Sequence, residues 1–566
     1  MDSFKEHYRF GSAAWATCGD VAGAGLFDCP GPFIGYGADR PMMLDGDAPM
    51  ITSGGAGSGK LRDLLAYNLC GFQLGEHGWV TPPRILVNDP RGELAAISIG
   101  SQVRFGKAAY CINPFRLHGL PRHRLNPWDV LRPGSPTFHA DVKLLVGDLI
   151  PLSGSSSAEY FELRARQWCE SLVQDYAMTF GNVSLPALYD MVNAIEEPDG
   201  WSALEGRMLR SPSSDVRRTA HEISTKRKDV PKEYSAIVGE IVKYLGFLSD
   251  PVIRETLSCS DFSLEVLCQR DCNVYNMIPA EYASQLAPML RAIIGAAMLY
   301  KQRHPAAPRV LFLIDEAATL GRFESLLRGY TYGRGMGIRV WSIWQDIGQI
   351  SRNYGRDALS GFIGSSQMRQ FFGVRDLDTA RVVSAMLGAE TLEYDPVLEQ
   401  MQARLTQAQI IDRLMAGDDP FEAGLHYAYQ ARAAIHRVKQ ARPLMAPDEV
   451  LNLPEDRQVL FISGLGLMPI LADKYPYFTR AEMAGAYLPN PYHPPHDRVR
   501  VMTRYGVRIK PVVTERVPDE FADYPQYESG EWSFIKGHRP KRQQPKGSRK
   551  RKWRSIVIPE EFYFQL

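Results

Sequence analysis

The residues most able to do chemistry begin with Gly54-Gly55-Ala56-Gly57-Ser58-Gly59-Lys60. Glycines at this spacing let successive backbone N–H groups turn inward around phosphate oxygens, and the lysine that closes the run reaches the terminal phosphates. The expected ligand is a nucleoside triphosphate, ATP, held with Mg2+. Residue 61 is Leu61, where a Ser or Thr would place a hydroxyl on the metal. The metal is then expected to be held through water and other groups, which Mg2+ tolerates. Far along the chain, Val310-Leu311-Phe312-Leu313-Ile314 runs straight into Asp315-Glu316. An apolar run ending in two acids predicts a buried strand that delivers carboxylates to a site. Asp315 is the candidate for holding Mg2+ through water, and Glu316 for orienting or deprotonating an attacking water. Gln345 follows the next apolar run, where its amide can report the γ-phosphate. Arg334 lies in a glycine-rich turn, Gly333-Arg334-Gly335-Met336-Gly337, from which it can reach a neighbouring subunit's phosphate or remain a solvated loop arginine.

The elements that must hold these residues follow from local pattern. Met50 to Ser53 reads as a strand entering the glycine loop, and Leu61, Leu64, Leu65 and Leu69 stand at helical spacing behind it. Arg84 to Asn88 is a second apolar strand, ending at Asp89-Pro90. Strand, loop, helix, strand predicts an α/β fold with a parallel central sheet. From about Pro136 to Leu267 the texture changes to helical spacing with few β-branched runs, which predicts an all-α insertion. Strands resume at Asn273 to Met277, Arg309 to Ile314 and Ile338 to Ile343. Composition shifts again beyond Pro489.

The chain has 566 residues, enough for more than one domain, with 45% hydrophobic and 23% charged residues and a net charge of +1. That balance names no acidic partner for the molecule as a whole. Its eight cysteines are scattered without a CxxC pair, which reads as reduced thiols rather than a zinc site. The longest apolar candidate for a membrane span, Ala287 to Tyr300, is shorter than the ~20 residues required and carries Arg291 at its centre.

Charge concentrates at the end of the chain. Lys536 to Arg554 holds basic residues with no acid among them, including Lys541, Arg542, Arg549, Lys550, Arg551 and Lys552 around Trp553. Such a run attracts phosphate backbones by counterion release, so single-stranded DNA is a candidate partner. Anionic lipid competes for the same chemistry, and a solvated, solubilising tail is the plain alternative.

The order of motifs resembles the type IV secretion coupling proteins, the TraG/TraD-like ATPases of conjugation. The resemblance runs from Gly11-Ser12-Ala13-Ala14-Trp15-Ala16 through the glycine loop to Asp89-Pro90-Arg91-Gly92-Glu93-Leu94. It continues with Asn113-Pro114-Phe115, Leu125-Asn126-Pro127, the Asp315 segment with Gly321, Gln345, Asp376 to Ala380 ahead of Leu387-Gly388, and Arg442-Pro443-Leu444. Glu449-Val450 and Pro469-Ile470 with Lys474 close the series. The resemblance implies a RecA-like P-loop domain in two parts (1–136 and 269–488), an inserted all-α domain (137–268) and a C-terminal extension with a basic tail (489–566). It implies a hexameric ring with nucleotide between subunits, contacted by Lys60, Asp315 and Glu316 of one subunit and Arg334 of its neighbour. It also implies an ATP-driven coupling motor that delivers relaxase–DNA complexes or effector proteins to a type IV secretion channel.

Family members usually begin with a transmembrane hairpin, and this chain begins where their cytoplasmic part does. The expectation is a cytoplasmic protein, peripheral at a bacterial inner membrane, that lacks the hairpin naturally or by truncation. Two other readings stay open at this stage. One is a nucleotide-gated docking platform with little turnover, and the other is an FtsK/HerA-like DNA translocase.

Overall fold

The computed structural model describes residues 10–74, 78–493, 495–503 and 505–541. Eleven strands form one sheet: β1 (Phe33–Gly37), β2 (Arg40–Met43), β3 (Met50–Gly54), β4 (Arg84–Pro90), β5 (Ala108–Ile112), β6 (Cys272–Ile278), β7 (Val310–Ile314), β8 (Ile338–Trp344), β9 (Met368–Phe372), β10 (Arg457–Ile462) and β11 (Ile470–Asp473). Their spatial order is β2-β1-β11-β10-β9-β3-β8-β7-β4-β6-β5. From β9 to β5 every pairing is parallel. The four strands at the other edge pair antiparallel, so the sheet is mixed and mostly parallel.

Alternation along each strand divides the core between two faces. Val310, Phe312 and Ile314 point into one apolar cluster, and Leu311 and Leu313 into the other. Both faces are covered, as a parallel sheet requires. The helix Ala287–Arg303, the apolar stretch weighed above as a membrane candidate, lies buried in the first cluster. Its Arg291 donates to the carbonyls of Asp148 (2.7 Å), Leu149 (3.0 Å) and Leu320 (2.7 Å), closing the end of the helix Phe138–Leu149. A buried guanidinium so placed satisfies carbonyls that would otherwise be orphaned. Among the described residues no helix is long and apolar enough to cross a membrane.

Between β5 and β6 the chain forms the helical insertion, including Ser156–Phe180, Leu185–Glu196, Ser214–Asp229, Pro231–Leu245 and Pro251–Ser258. The pattern of helical spacing anticipated this region. Two further elements had no counterpart in the sequence reading. A helical hairpin, Val397–Met415 and Pro420–Ala433, stands on the two-stranded ribbon Ala389–Tyr394 and Val438–Pro443 and exposes Leu398, Met415 and Phe421. A three-stranded antiparallel sheet, Arg498–Thr503, Gly506–Arg516 and Glu531–Ile535, follows the main sheet. Gln526, just before its last strand, accepts from Ala109 N (3.0 Å) and donates to Lys107 O (3.1 Å), closing the open edge of β5 with a side-chain amide.

Candidate functional site

The site forms at the C-terminal ends of four adjacent strands, β3, β8, β7 and β4. Trp344 is in register with Ser53, and Asn88 with Ile314. Gly54 therefore stands beside Gln345 and Asp315 beside Asp89, while Ser342 pairs with Ile314, so Gln345 lies two residues farther along its strand than Asp315. Ligands of open α/β sheets bind at this edge because the strands end there and their loops fan apart.

Gly54 to Lys60 turns back on itself after β3, with Gly57 at φ +74° and Gly59 at φ +83°, which a side chain would strain. Lys60 Nζ donates to Gly54 O (2.7 Å) and Gly55 O (3.1 Å), so the ammonium closes the loop across its mouth. Burial depresses the Lys60 pKa, and the charges of Asp315 and Glu316 oppose that shift. Ser58 Oγ is buried and has no hydrogen-bond partner among the described residues. A hydroxyl and a lysine left in a glycine loop suit phosphate oxygens.

The loop is braced from behind by Lys474, a residue the sequence presented only as part of the family pattern. Its Nζ donates to Ser58 O (2.7 Å), pairs with Asp63 (3.3 Å) and sits 4.5 Å from the centre of the Phe372 ring. Leu61 opens a π-turn, Leu61–Leu65, and packs against the second core cluster instead of presenting a hydroxyl.

Asp315 follows β7 directly. Surrounding protein pushes its carboxyl up to about 6; burial contributes most and the Glu316 charge next, while Lys60 opposes. Asn88 Nδ2 donates to Asp315 O at 3.1 Å. Glu316 adopts φ +52°, a left-handed conformation uncommon outside glycine, and its N–H donates to Asp315 Oδ1 at 3.1 Å. The two carboxylates are thus set by a sharp turn at the strand end, next to Lys60. Gln345 leaves β8 at the same edge, with its N–H donating to Gln349 Oε1 at 2.9 Å.

Asp89 caps the helix Glu93–Ser98, accepting from Leu94 N (3.2 Å) and Ala95 N (2.8 Å). Its carboxyl is raised to about 8, chiefly by burial, with the charges of Asp315 and Glu93 adding to the shift. Arg91, at φ +85°, lies over the Tyr492 ring and pairs with Glu93 at 3.6 Å.

Not every expected residue lies at this edge. Arg334 lies in the turn that precedes β8, at the opposite end of the same strands. A seven-residue strand spans roughly 20 Å, so Arg334 does not reach its own chain's loop. It pairs instead with Asp47 at 2.8 Å and remains 69% exposed. Of the basic tail, Lys541 is described and exposed, whereas Arg542, Arg549, Lys550, Arg551 and Lys552 lie outside the described residues.

No group of three or more His, Cys, Asp or Glu side chains capable of holding a metal occurs among the described residues. Asp315 and Glu316 therefore fit a divalent cation only in company with phosphate oxygens and water, the mode in which Mg2+ is ordinarily bound beside a nucleotide.

The family model for type IV secretory system conjugative DNA transfer matches residues 79–411 and 433–501, well over half of the chain. The conjugal transfer protein TraG of Agrobacterium fabrum (strain C58 / ATCC 33970) is 24% identical over 348 residues, covering 61% of this chain and 48% of that protein. A probable conjugal transfer protein TraG of Sinorhizobium fredii (strain NBRC 101917 / NGR234) is 28% identical over 256 residues, covering 45% and 36% respectively. The chain thus spans less than two thirds of these relatives' length. A TraG of Escherichia coli is 23% identical over 500 residues, with 79% of this chain and 72% of that protein covered. Among solved structures, the bacterial conjugative coupling protein TrwBdeltaN70 superposes with a TM-score of 0.58 at 17% identity, covering 83% of this chain and 95% of that one. The fold is therefore that of TrwB, and the chain belongs to the type IV secretory system conjugative DNA transfer family.

Proposed function

We propose that the chain is the nucleotide-driven motor of a type IV secretion coupling protein, hydrolysing ATP to deliver DNA–protein or protein substrates to a secretion channel. The observation that carries this reading is that Gln345, Asp315 and Glu316 leave adjacent strands at the same edge of the sheet as the glycine loop that ends in Lys60. TrwB, which shares the fold, has been solved with ADP and Mg2+ and with an ATP analogue, which supports the same ligand here.

In this reading Gly54, Gly55, Ala56, Gly57, Ser58, Gly59, Lys60 and Leu61 cradle the phosphates, and Lys60 exchanges its bonds to Gly54 O and Gly55 O for phosphate oxygens. Asp315 would hold Mg2+ together with phosphate oxygens, and the ion would neutralise charge on the phosphates. Glu316 takes the proton of the attacking water, and Gln345 orients that water or senses the terminal phosphate. Arg334 serves the nucleotide of a neighbouring subunit in a ring. The partners are further copies of the chain, channel components at the inner membrane, and relaxase–DNA or effector cargo. The basic tail adds single-stranded DNA or anionic lipid.

The test is ATP turnover by the purified chain, with and without single-stranded DNA, beside Lys60→Ala. Turnover that falls at least a hundredfold in the variant is expected. Equal rates in the two proteins would reject the motor. Leu61 favours a second reading, a nucleotide-gated platform, because the loop supplies no hydroxyl to the metal. ATP binding without turnover, while cargo still binds, selects that one.

A further inference from the structure

The strand that flanks the phosphate loop on the side away from Asp315 brings a second cation to it. β9 ends at Phe372, and the chain continues as Gly373-Val374-Arg375. Gly373 O accepts from Gly55 N at 3.2 Å, tying the strand end to the loop's first turn. Gly373 has φ +55°, and a Cβ placed there would lie 2.4 Å from the Ser58 Cβ, so glycine alone lets the two segments meet. A Cβ placed on Gly55 would lie 3.5 Å from both Cγ and Cδ of Arg375. The aliphatic stem of Arg375 therefore rests on the bare backbone of Gly55.

The segment that carries this arginine is fixed beyond it as well. Asp376 caps the helix Leu377–Leu387, accepting from Thr379 N at 2.7 Å. Thr379 Oγ1 in turn accepts from Ile347 N at 3.2 Å, two residues past Gln345. Arg375 thus sits between two rigid anchors, the phosphate loop and the turn that bears Gln345.

Among the described residues its charge has no counterpart. The Arg375 side chain is exposed, and among the described residues no carboxylate pairs with it. Its neighbours Asp376 and Asp378 are engaged elsewhere: Asp376 caps the helix, and Asp378 pairs with Arg381 at 3.7 Å. The Lys60 pKa, depressed chiefly by burial, is lowered further by the charges of Arg375 and Arg91. Two like charges held on one glycine loop are unfavourable alone and favourable around a polyphosphate.

We infer that Arg375 is a phosphate-binding residue of this chain's own loop, its guanidinium contacting the nucleotide that Lys60 holds. The inference rests on the nucleotide reading given above. It assigns the site a cation from the same chain, distinct from Arg334, which lies at the far end of the strands.

The experiment is equilibrium titration of a fluorescent, non-hydrolysable ATP analogue with Mg2+ into the full chain, its Arg375→Ala and Arg375→Lys variants, and Lys60→Ala. Arg375→Ala is expected to raise Kd about tenfold, the size of one lost charge-assisted hydrogen bond, and Arg375→Lys to fall between. The shift should not depend on protein concentration, because loop and arginine share one chain. In turnover assays the loss should appear in KM, with kcat within about twofold. Melting without nucleotide should match the unmodified chain, since the side chain is exposed. A Kd within twofold for Arg375→Ala, or a loss in kcat alone, would overturn the inference and leave the nucleotide reading intact. An unmodified chain that binds no analogue would overturn both.

Discussion

Asp89 shows how burial and hydrogen bonding compete at one side chain. Its two backbone bonds stabilise the carboxylate, yet burial outweighs them and raises the carboxyl to about 8. A carboxyl raised above its unfolded value of 3.8 binds its proton more tightly when folded. Its contribution to stability is fully present below the unfolded value and is lost as pH rises towards about 8. Asp89→Asn keeps one acceptor, loses the other bond and no longer titrates. The variant should melt below the unmodified chain near pH 5, with the gap narrowing up to about pH 8 and constant beyond it. A gap that stays constant across this range would show that Asp89 is ionised in the folded chain. At this scale the sequence made Gly54 to Lys60 and Asp315-Glu316 legible, because each is contiguous and its chemistry is local. Lys474 and Arg375 were not legible as site residues. Lys474 meets Ser58 across 416 positions of sequence, and only the sheet order brings Gly373 beside Gly55.

Among the elements, five of the parallel strands (β3, β4, β6, β7 and β8) were legible as apolar runs, whereas β5 and β9, also parallel, were not. The antiparallel edge was not, since β1, β2 and β11 are short and their pairing joins distant parts of the chain. The C-terminal sheet was not legible, because beyond Pro489 the sequence showed only a shift of composition. Phe521, Tyr527 and Trp532 pack on Val103 and make a small core of their own. This element also closes the main sheet at β5 through Gln526, which is 5% exposed. Removing that amide leaves Ala109 N and Lys107 O without partners, at a cost of about 2 kcal/mol. Gln526→Ala should therefore speed amide exchange at Ala109 by tenfold or more while strands β3 and β7 stay protected. Unchanged exchange at Ala109 would mean that water or a shifted side chain replaces the strap.

At the scale of the whole molecule, the position of Arg334 decides how many chains a working site needs. The arginine is separated from its own loop by the length of a strand, so any role with nucleotide must be played on another copy. Its pair with Asp47 is no obstacle, because exposed ion pairs contribute only about 0.2–1 kcal/mol. A single chain cannot display such a site, and the proposed ring rests on the family resemblance alone. Mixing two inactive variants tests it directly. Lys60→Ala chains fail to grip nucleotide but retain Arg334, whereas Arg334→Ala chains grip nucleotide and offer no arginine. Where an Arg334→Ala loop faces a Lys60→Ala neighbour, both groups are present and one site is restored. Random assembly of equal amounts makes about one junction in four competent, so turnover should recover to roughly a quarter of the unmodified rate. Recovery should vanish on dilution below the concentration at which the chains assemble. Full turnover by Arg334→Ala alone would remove the arginine from the reaction. Low turnover by both variants with no recovery on mixing would place its effect within a single chain, through Asp47 and the turn before β8.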